Sequence, residues 1–210
     1  MNSRTERLEI PGPSGNLQVL RDQPEGNAAL GIAVIAHPHP LFGGTMDNKV
    51  VQTIARAFVQ VGWTAVRFNF RGVGGSEGTY DEGNGEQQDF LAVVDGLAPQ
   101  GVLALAGFSF GAFVAGNVLQ ALWTTRDIQR IVLVGTAVSR FPVPALPVDS
   151  HGRTLVVHGE VDDTVALKDV LDWARPQSLP VTVVPGVEHF FHGQLPLLKN
   201  LVVRHLRAQE

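Results

Sequence analysis

The sequence has no cysteine, no excess of basic charge and no long apolar run, and each absence excludes a class of function. Without cysteine the chain forms no disulfide, no thiol nucleophile and no cysteine-ligated zinc site. The formal net charge of −4 leaves no basic stripe for nucleic acid. No apolar run approaches the roughly 18 residues that span a bilayer, and residues 1–9 lack the apolar core of a secretory signal. We therefore expect a cytoplasmic protein with no membrane span and no nucleic-acid partner.

The rest of the composition is typical of a folded domain with a substantial core. Hydrophobic residues make up 44% of the chain and charged residues 17%, which argues against disorder. The length of 210 residues fits one domain, and no repeat or convincing linker divides the sequence. We therefore predict a single domain over residues 1–210.

Strand and helix patterns alternate along the chain. Segments 7–10 and 17–21 predict an antiparallel opening, and the apolar run 30–36 predicts a strand covered on both faces. Apolar residues at spacings of three and four from Val50 to Val61 predict an amphipathic helix. Further strands are expected at 63–70, 102–106, 131–134, 154–157 and 181–184, and further helices at 90–97, 112–123, 165–174 and 195–206. This alternation predicts an α/β fold with about eight mostly parallel strands and helices on both faces.

Residues 107–111, Gly-Phe-Ser-Phe-Gly, stand between a predicted strand and a predicted helix. A serine at such a turn has a strained backbone and an exposed hydroxyl, and the two glycines leave room for the crowded backbone around it. The alternative is a chance match at a structural turn, because the pattern is short. Ser109 is therefore a candidate nucleophile.

An aspartate and a histidine follow later predicted strands, in the chain order Ser, Asp, His. Because the C-terminal ends of parallel strands share one edge of the sheet, we expect Asp162 and His189 to lie near Ser109. A serine hydroxyl needs an imidazole to take its proton, and the imidazole needs a carboxylate to fix its tautomer. The alternatives are Asp163 for the carboxylate and His192 for the imidazole.

Acyl transfer also requires hydrogen-bond donors for the oxyanion, each worth about 3 to 4 kcal/mol of the barrier. The backbone N–H of Phe110, the residue after the candidate nucleophile, is one expected donor. Loop 37–44 is expected to supply the second. Because its prolines have no N–H, His39 is the first choice and Leu41 the alternative.

These motifs resemble the α/β-hydrolase superfamily, and more narrowly its small serine hydrolases and esterases without a cap. The matching segments are His-Pro-His-Pro at 37–40, Gly-Gly-Thr-Met-Asp-Asn-Lys-Val at 43–50, Phe-Asn-Phe-Arg-Gly-Val-Gly at 68–74, the turn at 107–111, His-Gly-Glu-Val-Asp at 158–162 and Glu-His-Phe-Phe at 188–191. The resemblance extends over nearly the whole chain. It implies the α/β-hydrolase fold and a triad of Ser109, Asp162 and His189. One departure is the His37-Pro38 pair, where most of the superfamily has His-Gly.

The connection between the sixth and seventh predicted strands is too short for the cap that most of the superfamily inserts there. It consists of residues 135–153 alone. We therefore expect an open site beside a shallow apolar groove. The residues expected to line that groove are Leu41, Phe42, Phe110, Phe141 and Leu146.

The sequence thus predicts a serine hydrolase that cleaves small-molecule carboxylic esters through an acyl-enzyme, with no metal or organic cofactor. His37 and His39 flank a proline but lack the third ligand of a metal site. The alternatives are a thioesterase or peptidase with the same triad, and a non-catalytic binding protein of the same fold.

Overall fold

An eight-stranded sheet forms the centre of the computed structural model, which describes residues 5–26 and 29–208. Its strands are β1 (Thr5–Gly12), β2 (Gly15–Asp22), β3 (Ile32–Ala36), β4 (Thr64–Phe68), β5 (Leu103–Phe108), β6 (Ile128–Val134), β7 (Thr154–Gly159) and β8 (Val181–Val184). Their order is β1-β2-β4-β3-β5-β6-β7-β8. The pairs β1–β2 and β2–β4 are antiparallel, and every other pair is parallel. The predicted sheet is therefore confirmed.

Helices cover both faces of this sheet, as predicted. They are α1 (Lys49–Gln60), α2 (Asn84–Leu97), α3 (Phe110–Leu122), α4 (Leu167–Ala174) and α5 (Leu195–Arg207). Helices α1 and α5 pack on one face, where their apolar residues join one core cluster with the side chains of that face. Helices α2, α3 and α4 pack on the other face, around a second cluster. Within the described residues no helix is both long and apolar enough to cross a membrane.

Helix α2 begins six residues before the predicted start, because its first turn is set by hydrogen bonds and not by apolar periodicity. The Glu86 carboxylate accepts the N–H groups of Asp81 (2.9 Å) and Gly83 (2.7 Å). Since the apolar spacing starts only at Phe90, the sequence pattern placed the helix too late.

Two buried ion pairs fix the loops beside β4. The Arg71 guanidinium forms an ion pair with Asp89 of α2, with Nη2–Oδ1 at 2.8 Å and Nε–Oδ2 at 3.0 Å. Arg67 of β4 pairs with Asp22 of β2 (2.9 Å) and donates to the Met46 carbonyl (2.9 Å). Separating either pair would leave a buried charge without a partner, which is strongly unfavourable. Both pairs therefore hold their loops at the sheet edge.

The connection from β6 to β7 contains no cap, as predicted. Between these strands the structure has only the short 3₁₀ helix Val148–Arg153 and irregular backbone. The C-terminal edge of the central strands is therefore open over the site described next.

Candidate active site

Ser109 occupies a sharp turn between β5 and α3. Its backbone has φ 56° and ψ −116°, a conformation that costs a non-glycine residue about 1 to 3 kcal/mol. A Cβ at Gly107 would lie 2.5 Å from the Ala112 nitrogen, and one at Gly111 would lie 2.6 Å from the His37 oxygen. Both glycines of the motif are therefore required by backbone contacts, and the turn presents the serine hydroxyl at the sheet edge.

The structure brings Ser109, His189 and Asp162 into one hydrogen-bonded series. His189 Nε2 lies 3.0 Å from Ser109 Oγ, and His189 Nδ1 lies 2.6 Å from Asp162 Oδ2. The carboxylate accepts the proton on Nδ1, which leaves Nε2 to accept the serine hydroxyl. All three residues are buried. This is the arrangement that general-base activation of a serine requires.

The Asp162 carboxylate is fixed at both of its oxygens. Oδ1 accepts the N–H groups of Thr164 (2.9 Å) and Val165 (2.7 Å), while Oδ2 faces the imidazole. Burial on its own would raise the pKa of Asp162, but the hydrogen bonds from His189 and Val165 outweigh it, and the pKa is lowered. The carboxylate is therefore ionised at neutral pH.

The alternative acid and base lie elsewhere. Asp163 is exposed, and its Oδ1 accepts the Thr164 hydroxyl at 3.3 Å. His192 is exposed and lies 3.1 Å from the Glu188 carboxylate. The geometry therefore favours Asp162 and His189 over both.

A second histidine, His158, lies next to the Asp162 carboxylate. It is fully buried, and its Nε2 lies 2.9 Å from the Val165 carbonyl and 3.5 Å from Asp162 Oδ2. Burial lowers the pKa of His158, so the ring is neutral and carries its proton on Nε2. Within the described residues its Nδ1 has no hydrogen-bond partner. His158 thus holds the turn that carries Asp162.

The His189 ring is closely packed by residues that the sequence analysis did not identify. A Cβ at Gly135 would lie 3.1 Å from His189 Cε1, and the Phe108 ring lies 4.9 Å from the imidazole. Phe191 is buried with φ 56°, which bends the chain just after the histidine. The position of Gly135 directly after a predicted strand could have indicated a close contact there. Nothing in the sequence indicates that the backbone of Phe191 is strained.

Loop 37–44 is fixed by a neutral histidine. His37 Nε2 accepts the Phe70 N–H at 3.0 Å, and Nδ1 donates to the Pro38 carbonyl at 2.6 Å. Burial lowers the pKa of His37 to about 4, so the ring stays uncharged at neutral pH. A Cβ at Gly44 would lie 2.6 Å from the His39 oxygen, so the loop closes tightly on itself.

Of the two expected donors in this loop, only one is free. The Leu41 N–H donates to His39 Nδ1 at 3.2 Å, so it is already used. Among residues 5–26 and 29–208, the backbone N–H groups of His39 and Phe110 donate to no acceptor. Because Nδ1 accepts, the His39 proton lies on Nε2 and points to the Tyr80 hydroxyl at 3.1 Å. The structure thus leaves the Phe110 and His39 N–H groups without an acceptor, and both residues line the same cleft as Ser109.

An open cleft of about 310 Å³ surrounds Ser109. Of the residues expected to line it, Phe42, Phe110 and Phe141 do so, together with Phe190. The lining does not include Leu41, which is 68% exposed.

Leu146 is also absent from the lining, because it packs in the core at 3% exposure. Its N–H donates to Oε1 of Gln177, in the segment that follows α4, at 2.8 Å. No group of three or more potential metal ligands occurs in the described part of the chain.

Comparison with known proteins identifies the family and the fold of this chain. The profile of the family described as X-Pro dipeptidyl-peptidase (S15 family) matches residues 17–137. An uncharacterized protein of Rickettsia prowazekii is 32% identical, covering 76% of this chain and 71% of its own. An α/β serine hydrolase without a lid from Xanthomonas campestris is 35% identical over 100% of this chain and 99% of its own, with a TM-score of 0.86. An alpha-beta serine hydrolase homologue from Coxiella burnetii is 39% identical, covers 96% and 97% of the two chains, and has a TM-score of 0.81.

Proposed function

Because this chain belongs to the X-Pro dipeptidyl-peptidase (S15) family and to the α/β serine hydrolases without a lid, we propose that it cleaves carboxylic esters of small molecules. The observation that carries the proposal is the series from Ser109 Oγ to His189 (3.0 Å) and from His189 to Asp162 (2.6 Å). No metal or organic cofactor takes part in the proposed reaction.

The reaction proceeds in two half-reactions. Ser109 Oγ attacks the ester carbonyl while His189 Nε2 takes the hydroxyl proton, and the ionised Asp162 stabilises the imidazolium that forms. The tetrahedral oxyanion accepts hydrogen bonds from the Phe110 and His39 N–H groups. As the intermediate collapses, His189 gives its proton to the leaving alcohol, and an acyl group remains on the serine. Water, deprotonated by the same imidazole, then releases the acid.

The cleft lining favours an ester over the peptide substrate that the family description suggests. A dipeptidyl-peptidase must recognise the free ammonium group at the N-terminus of its substrate, for which a carboxylate is the natural partner. Among the described residues no carboxylate lines the cleft, whereas four phenylalanines do. A carboxylic ester without an ammonium group fits this lining better than a cationic peptide end.

Ser109→Ala is the decisive test. With p-nitrophenyl butyrate as substrate, we expect kcat to fall by about 10⁵-fold or more, because the nucleophile is lost. Ser139→Ala, at an exposed serine outside the cleft lining, is the matched control and should retain full activity. Near-normal turnover by Ser109→Ala would refute the assignment.

The choice of scissile bond needs a second measurement. The wild-type protein is assayed on p-nitrophenyl butyrate, on a butyryl thioester and on glycyl-prolyl-p-nitroanilide. We expect the ester to give the highest kcat/KM and the dipeptide anilide to give none. Labelling by a fluorophosphonate probe distinguishes a hydrolase from a binding protein: we expect an adduct on Ser109, and its absence would support the non-catalytic alternative.

A further inference from the structure

Arg140 is a free cation on the wall of an otherwise uncharged cleft. It lies in the connection between β6 and β7, it is exposed, and it lines the same cleft as Ser109. Within the described residues it has no ion-pair partner, and it is the one arginine in a lining that includes no lysine, aspartate or glutamate. Arg67 and Arg71, by contrast, are buried against aspartates. Arg140 is therefore available to an anion in the cleft.

The cleft has two ends, and Arg140 lies at the end lined by His39. At one end His189 packs against Phe190, with ring centroids 5.1 Å apart. At the other end the His39 ring lies 4.7 Å from Phe42 and 5.8 Å from Phe141, the residue after Arg140. Burial lowers the pKa of His39. The positive charge of Arg140 lowers this pKa further, because Arg140 lies close to the ring.

The proposed reaction decides which part of the substrate reaches each end. The leaving alcohol receives its proton from His189 Nε2, so the alcohol lies at the His189 end. We therefore place the acyl chain in the part of the cleft that Phe141 and Arg140 line. A carboxylate at the far end of that chain would meet the guanidinium, which binds carboxylates through paired hydrogen bonds.

We propose that the substrates are half-esters of dicarboxylic acids, and that Arg140 binds their free carboxylate. The proposal rests on the ester hydrolysis proposed above and names the class of acyl group. Arg140 is then a specificity-determining residue, because it contacts the substrate but not the reacting atoms. The aliphatic part of the acyl chain lies against the rings of Phe42 and Phe141, where burial of apolar surface contributes to binding.

The test compares two methyl esters with the same five-carbon acyl chain. Monomethyl glutarate carries the terminal carboxylate and methyl pentanoate does not; both are followed by proton release. For Arg140→Gln we expect kcat/KM on monomethyl glutarate to fall about tenfold, mainly through KM, with methyl pentanoate changed by less than about twofold. Arg140→Lys should recover part of the loss, because it keeps the charge but not the planar fork.

A control separates local binding from net charge. Arg175→Gln removes an exposed arginine that is paired with Asp172 and absent from the cleft lining. It should leave both substrates unchanged. Added salt should reduce the wild-type preference for monomethyl glutarate over methyl pentanoate. In Arg140→Gln, the ratio of kcat/KM for these two esters should not change with salt.

The two proposals fail in different ways. If the wild type hydrolyses methyl pentanoate but Arg140→Gln changes both esters equally, or neither, the half-ester proposal is wrong and the esterase proposal stands. If the wild type hydrolyses neither ester and the fluorophosphonate probe leaves Ser109 unlabelled, both proposals are wrong.

Discussion

Replacing Asp162 by asparagine should reverse the hydrogen bond that orients His189. In the native site Oδ1 accepts two backbone N–H groups, from Thr164 and Val165, while Oδ2 accepts the proton of His189 Nδ1. In the asparagine variant the two N–H groups still need an acceptor, so the amide oxygen must take the Oδ1 position. The amide nitrogen is then forced to face His189 Nδ1, and it is a donor.

This orientation places the imidazole in the wrong tautomer. Nδ1 becomes the acceptor, so the proton moves to Nε2, which can no longer accept the Ser109 hydroxyl. The variant also loses the negative charge that stabilises the imidazolium. A wrong tautomer in a triad of this kind lowers kcat by about 10⁴-fold, or about 5 kcal/mol of barrier.

The assay is kcat for p-nitrophenyl butyrate with each purified variant, together with a thermal unfolding curve. Asp163→Asn is the matched control: it makes the same chemical change one residue away, at an exposed carboxylate, and should keep activity within about twofold. The reasoning fails if Asp162→Asn is folded and retains more than about a tenth of wild-type kcat. It fails equally if Asp163→Asn loses as much activity as Asp162→Asn.

Three further predictions concern the scaffold. Gly111→Ala should destabilise the fold by about 3 kcal/mol in urea unfolding, because its Cβ meets the oxygen of the preceding loop at 2.6 Å; Gly152→Ala, with open space around it, should have little effect. Arg71→Met should cost about 3 to 5 kcal/mol by the same measurement, because it leaves the buried Asp89 charge unpaired. His37 is neutral in the folded protein, with its pKa lowered from 6.5 to about 4, so the unfolded chain binds a proton there that the folded chain does not. Stability should therefore fall by about 2 kcal/mol at this site as the pH drops from 7 to 5, and His37→Gln should lose that part of the slope.

Each of these expectations has a result that would contradict it. Equal unfolding midpoints for Gly111→Ala and Gly152→Ala would mean that the turn tolerates a side chain. Wild-type stability in Arg71→Met would mean that Asp89 finds another partner or a proton. An unchanged pH slope in His37→Gln would mean that the histidine is protonated in the folded protein.

The sequence predicted the sheet and the assembly of the candidate site for the same reason. Ser109 directly follows β5, and Asp162 and His189 follow β7 and β8 within a few residues. In a sheet of parallel strands these ends share an edge, so the strand pattern alone places the three side chains near one another. Their hydrogen-bond distances depend on short-range turn geometry, which the G-x-S-x-G motif encodes for the serine.

The groove was predicted less well, because its lining depends on contacts between distant segments. Leu146 is apolar and close in sequence to Phe141, yet the Gln177 side chain binds its backbone from 31 residues away and turns it into the core. Leu41 and Phe42 are adjacent and similarly apolar, but Phe42 lines the cleft and Leu41 does not. Hydrophobicity does not distinguish these cases, since both a groove and a core accept the same residue types.

The short connection from β6 to β7 has a consequence for which step limits the rate of turnover. Many enzymes turn over at the speed of a lid that must swing aside for each substrate and each product. Over the described residues, nothing of that kind covers Ser109. In the proposed reaction small molecules reach and leave Ser109 without the movement of a lid, so we expect bond making and breaking at the serine to set the rate.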